Sequence, residues 1–171
     1  MRSFTGLCAC GVLAACFLAV ARADEEKVPL DKVPKAVLDA VKTRFPQAKL
    51  VSAEKETDKD KVVYEIAITD KDQKIEVTLT PEGKIVEIEK QIAVSDLPKA
   101  VADVAKAKYP KAEYKVIEEV FKVKDDKETL TYYELHLVTA AGAAVEVRIG
   151  ADGKMLGTEE QNKVKKEEKG K

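Results

Sequence analysis

The chain has 171 residues, 36% of them charged and only 5% aromatic, with 30 basic side chains against 31 acidic ones and a single histidine. The two signs are interspersed, so no basic block exists to follow a phosphate backbone, and nucleic acid is excluded as an expected partner. All three cysteines, Cys8, Cys10 and Cys16, fall near the start, so no disulfide framework, thiol nucleophile or cysteine-held metal is expected in the folded part.

The first element is a leader. Met1-Arg2 gives a basic start, residues 4–20 are almost wholly apolar or small, and Ala21-Arg22-Ala23 stands before Asp24-Glu25-Glu26. A basic start, apolar middle and A-x-A end form a secretory signal peptide over residues 1–23, cut after Ala23. The apolar run is shorter than the ~20 residues of a spanning helix and is broken by small residues, so no membrane span is expected. A second cut competes with this one. Leu13-Ala14-Ala15-Cys16 matches the bacterial lipobox, which would leave a lipid anchor at Cys16. Against it, the following Phe17-Leu18-Ala19-Val20-Ala21 is apolar where lipoproteins carry polar residues. Either cut places the chain outside the cytoplasm, secreted or periplasmic in the first case and lipid-anchored in the second.

A helix follows. Pro34 suits an opening turn, Val37, Leu38, Val41 and Phe45 share one face, and Pro46 stops the run. Residues 49–57 read as a first strand. Val62, Tyr64, Ile66 and Ile68 then alternate with Glu65 and Ala67, and Ile75, Val77 and Leu79 alternate with Glu76 and Thr78. Pro81-Glu82-Gly83 turns the chain into Lys84-Ile85-Val86-Glu87-Ile88. The order then begins again. Val101, Val104, Ala105 and Tyr109 make a second helical face ended by Pro110, and residues 113–124 read as a strand. Tyr133, Leu135 and Leu137 oppose Tyr132, Glu134 and His136; Val145, Val147 and Ile149 oppose Glu146 and Arg148; Ala151-Asp152-Gly153 makes the last turn.

This is a repeat. Val33-Pro34-Lys35-Ala36-Val37 returns as Leu97-Pro98-Lys99-Ala100-Val101, and Phe45-Pro46 as Tyr109-Pro110. Tyr64-Glu65-Ile66 returns as Tyr133-Glu134-Leu135, and Glu82-Gly83-Lys84 as Asp152-Gly153-Lys154, with extra residues around Asp125-Asp126-Lys127-Glu128. One-sided alternation means a sheet with one face buried, which the helix must cover. The expected fold is α+β: two tandem repeats, each one helix packed on an antiparallel sheet of about four strands. Repeat 1 spans 24–92, repeat 2 spans 93–158, and 159–171 is a charged, disordered tail. Units of this size are near the lower limit for standing alone, so the copies are expected to share an interface, such as a continuous sheet.

Chemistry is sparse. His136 has no second histidine or mature cysteine beside it, so neither a metal site nor catalysis is expected from it, and its parity puts it on the solvent face. Ser52 and Ser95 lie in no nucleophile elbow. Asp58-Lys59-Asp60, Asp70-Lys71-Asp72 and Asp125-Asp126 lack the calcium-loop pattern and read as turns. No phosphate-cradling loop is present. No catalytic, cofactor-binding or metal residues are therefore assigned, and no cofactor is expected. The open sheet face, with Glu65, Glu76, Tyr132, Glu134, His136, Glu146 and Arg148, is the better candidate. Its aromatic and arginine favour protein binding, and Tyr132, Glu134, His136 and Arg148 are the expected contact residues. An ordinary solvated face is the plainer reading of the same pattern.

Leu97-Pro98, Tyr109-Pro110, Tyr133-Glu134-Leu135 and Asp152-Gly153-Lys154, with their first-copy counterparts, resemble the PepSY-like family. The tandem arrangement is similar to its beta-lactamase-inhibitor-like members. These motifs are caps, breakers and turns, so they speak for fold before activity. The resemblance implies a non-catalytic extracytoplasmic binding module that inhibits or regulates a secreted or envelope protein such as a peptidase. A structural or scaffolding envelope protein or lipoprotein is the alternative.

Overall fold

The computed structural model describes residues 24–58 and 61–161. The leader, with both cleavage sites, and residues 162–171 lie outside that range. Among the described residues, nine strands form one antiparallel sheet in which every strand neighbours the next in sequence. They are β1 (Asp24–Lys27), β2 (Lys49–Asp58), β3 (Lys61–Asp70), β4 (Gln73–Leu79), β5 (Ile85–Gln91), β6 (Glu113–Lys124), β7 (Lys127–Val138), β8 (Ala144–Ile149) and β9 (Met155–Gln161). Helices α1 (Lys35–Arg44) and α2 (Lys99–Lys108) precede β2 and β6, each behind a short 3₁₀ turn.

The two helices start and stop alike. Pro34 and Pro98 hold the N-cap position in extended backbone, at the opening of each helix. Phe45 and Tyr109 close the last turns, their N–H groups donating to Val41 and Ala105 carbonyls at 2.8 Å. Each following proline prevents a further turn. Val37 and Val41 of α1 pack with Ile66, Ile68, Val77, Leu79 and Ile88, while Val101 and Ala105 of α2 pack with Leu135, Leu137, Val147 and Ile149. Burying branched aliphatic side chains of this kind contributes about 1.5–3 kcal/mol each.

Each helix also receives a glycine turn. Gly83 (φ +86°) and Gly153 (φ +83°) lie against the first turns of α1 and α2, where a Cβ would stand 2.5 Å from the Ala36 carbonyl oxygen and 3.0 Å from that of Ala100. Only glycine combines that backbone with that approach. The Lys71-Asp72 and Asp125-Asp126 links are two-residue hairpins with positive φ at both positions, as an antiparallel twist demands.

Nine strands exceed the two sets of four expected. The additional one is β1, whose Asp24-Glu25-Glu26-Lys27 has no apolar alternation and is a strand because its backbone pairs with Glu54 to Thr57 of β2. At the other end, β9 runs to Gln161, three residues into the segment expected to be an unstructured tail. An edge strand is paired on one side only, so it shows weaker patterning than a central one.

The halves join through β5 and β6, where Ile88 pairs with Phe121 and Glu89 with Val120. Alternation passes unbroken across that ladder, so both helices cover the same face. A second join lies on the helix side. The β6–β7 hairpin, with twelve-residue strands against ten in β2 and β3, carries Val123 onto the first core. Its Glu128 accepts from Arg44 of α1 and Lys90 of β5, both at 2.6 Å. Burial works to raise the Glu128 carboxyl, but those two cations outweigh it and hold it below the usual range. The residues that lengthen the second half thus clamp it to the first.

Candidate functional site

The sheet face away from the helices carries the expected contact residues, and it brings them together. Tyr132, Glu134 and His136 point out from β7, Glu146 and Arg148 from β8, with Glu134 opposite Arg148 and His136 opposite Glu146. Arg148 donates from Nε to Glu134 Oε2 at 2.8 Å and from its terminal nitrogen to Glu146 Oε1 at 2.6 Å. Its guanidinium carbon stands 5.9 Å from the centre of the Tyr132 ring. His136 Nε2 lies 3.3 Å from Glu134 Oε1 and 3.7 Å from Glu118 Oε2.

This face is less open than parity implies. Glu134 is 6% exposed and Glu118 7%, while the His136 side chain keeps 30%. Arg148 and His136 lie beside and over Glu134, so a solvent-facing position becomes a buried one. Val120, on the same face, is fully buried although it belongs to neither helix-covered core.

Charge divides the face in two. In the second half, the Glu118 and Glu134 carboxylates hold the His136 imidazolium up to about 10, against its burial. Burial acts to raise Glu134, but His136 and Arg148 overcome it and keep that carboxyl below the usual range. In the first half acids dominate, and of these cations only His136 acts there, lowering Glu76 against the effect of its burial. Burial, then Glu76 and Glu56, push Glu65 up to about 8. Glu89 rises to about 9 by burial and by Glu134, Glu118, Glu87 and Glu65 around it. Glu76 faces Glu89 across the β4–β5 ladder and is raised as well, chiefly by burial. Like charges directly opposite on adjacent strands are unfavourable, and here the sheet aligns them across its middle.

Glu87, Glu89 and Glu118 escaped the sequence reading. Their alternation with Ile88 and Ile117 is legible, but their meeting depends on β5 lying beside β6, which no local pattern states. Among the described residues, two sets bring three ligand-type side chains within 4.8 Å of one another: Glu118, Glu134 and His136, and Glu76, Glu89 and Glu118. A separate shallow depression, open to solvent, lies between Thr43 and Arg44 of α1, the Gly83-Lys84 turn and Asp125-Asp126.

The sequence matches the family described as "Putative beta-lactamase-inhibitor-like, PepSY-like" over residues 20–87 and 64–156. The chain belongs to that family. No curated protein matches the sequence of this PepSY-like chain. Solved structures share its fold. A putative periplasmic protein from Bacteroides eggerthii superposes with a TM-score of 0.60 at 15% identity, covering 75% of this chain and 88% of its own. A DUF2874 family protein from Bacteroides uniformis gives 0.59 at 14% identity, with 74% and 88% covered. A BLIP-like protein from Bacteroides fragilis gives 0.53 at 16% identity, with 73% and 84% covered. No described helix of the PepSY-like chain is long and apolar enough to cross a membrane.

Proposed function

We propose that this PepSY-like chain is an exported, non-catalytic binding protein that engages a secreted or envelope protein, such as a peptidase, through its open sheet face, and thereby inhibits or regulates it. The observation that carries this reading is the Tyr132–Arg148–Glu134 arrangement. A buried carboxylate fixes the guanidinium, which stands beside the aromatic ring, so little of the arginine's side-chain freedom remains to be lost on docking. His136 extends the same rigid network toward the centre of the sheet. The inhibitor-like description of the family and the periplasmic and BLIP-like descriptions of its structural neighbours support the same role and an extracytoplasmic location. A purely scaffolding protein gives no reason for a preorganised aromatic–arginine pair. In this reading residues 1–23 direct export, residues 24–92 and 93–158 are two copies of one unit, and the contact face belongs mainly to the second.

The test is cross-linking and affinity capture in the host envelope with the exported chain, its Tyr132→Ala and Arg148→Ala variants, and a Lys99→Ala control on α2. A partner held by the parent and the control but lost about tenfold or more with either face variant is expected. Capture that ignores both face variants would refute the assignment of this face.

A further inference from the structure

The geometry points to a binding site for one zinc-like divalent cation, formed by Glu118, Glu134 and His136. Glu118 of β6 pairs directly with Glu134 of β7, and His136 follows two residues along β7, on the same face. The imidazole Nε2 is 3.3 Å from one carboxylate oxygen and 3.7 Å from the other, and the three ligand atoms lie within 4.8 Å. A tetrahedral ion with bonds of about 2.0–2.1 Å separates its ligands by about 3.3 Å, which is close to both distances from the imidazole. One imidazole with carboxylates is a donor set that zinc accepts. Calcium needs about six to eight oxygens, which this set does not supply.

Glu118 gives the independent sign. Its side chain is 9% exposed, and its one ion-pair partner among the described residues is the His136 imidazole, at 3.7 Å, which is long for a hydrogen bond. A carboxylate buried so far is normally satisfied by donors, and this one is aimed at the two other ligands. Glu134 has the complementary arrangement. Arg148 holds its Oε2 at 2.8 Å and leaves Oε1 turned toward His136, which is the outer support that ligating carboxylates commonly have. On the other flank of Glu118, Glu76 and Glu89 stand within the same reach of it. On binding, the Nε2 lone pair goes to the metal and the proton it carried passes to solvent.

His136 is the only histidine, so its ring signals report the site without ambiguity. The experiment is a zinc titration of the tag-free, chelator-stripped exported chain, followed by calorimetry and by NMR of the imidazole. One zinc per chain with a shift of that single ring is expected, and His136→Ala and Glu118→Gln should each weaken binding about tenfold or more. Thermal melts by circular dichroism confirm that both variants fold. The inference falls if no zinc binds at about 1 mM, if His136→Ala binds it as tightly as the parent, or if calcium binds equally well. The titration contains no protein partner, so its outcome and that of the docking face are read separately.

Discussion

Glu65 and Glu134 occupy matching places in the two halves, each between a tyrosine and an aliphatic residue on the strand that pairs with the end of the preceding hairpin. Their states are opposite. Glu65 is pushed up to about 8, whereas Glu134 is held below the ordinary carboxylate range. The backbone does not cause this, because the ladders around them correspond: Glu65 faces Thr78 and Ala67 faces Glu76, as Glu134 faces Arg148 and His136 faces Glu146. Two exchanges, Ala67 for His136 and Thr78 for Arg148, are what separate a row of uncompensated acids from an ion network. One scaffold therefore carries two chemistries, and these two exchanges lie on the face away from the helices.

The sharpest probe of how alike the halves are is the glycine turn. Gly83→Ala is expected to cost about 3 kcal/mol and Gly153→Ala about 1–2 kcal/mol, measured by urea unfolding, since both meet a strained φ but the first also meets a closer carbonyl. A larger cost at Gly153 would contradict the geometry. The clamp comes next. Glu128→Ala should lower stability by about 1–2 kcal/mol by leaving the partly buried Lys90 without its carboxylate, a figure discounted because Arg44 is well exposed. No change would mean that the long hairpin does not hold the halves together.

The smallest expected effect tests the charge asymmetry itself. Glu65 has a folded pKa near 8, above the 4.5 of an ordinary glutamate, so the folded chain keeps a proton that the unfolded chain releases. Its contribution to stability is complete below pH ~4.5 and is lost as pH rises through about 8. Glu65→Gln should therefore be more stable than the parent at pH 9, by about 1 kcal/mol after discounting partial exposure, and show a flatter pH profile. Thr78→Arg should flatten it too, by giving Glu65 the cation that Glu134 has. Stability profiles that stay superimposable would dismiss the explanation.

Much of the fold was legible in the residues. Pro34, Phe45-Pro46 and their counterparts marked both helices, and the alternation of Ile66, Ile68, Ile75 and Val77 marked the buried face. β1 was not legible, because four charged residues become a strand only through the backbone groups of β2. The site was legible residue by residue but not as an assembly. Parity placed Tyr132, Glu134, His136 and Arg148 on one face, yet burial of Glu134 and its meeting with Glu118 depend on side chains lying across neighbouring strands. Glu89 illustrates the same limit, since its acidic surroundings come from both sides of the β5–β6 ladder.

The strict chain-order sequence of the strands has a kinetic consequence. Sheets of this size commonly fold slowly because distant segments must find each other before any contact rewards the search. Here every ladder closes between consecutive strands, with α1 and α2 as the only long connections among the described residues, and the tight links at Lys71-Asp72 and Asp125-Asp126 are natural starting hairpins. A chain that becomes available N-terminus first can add one strand at a time to an existing edge. For an all-antiparallel architecture with nine strands, its refolding belongs at the fast end of its class.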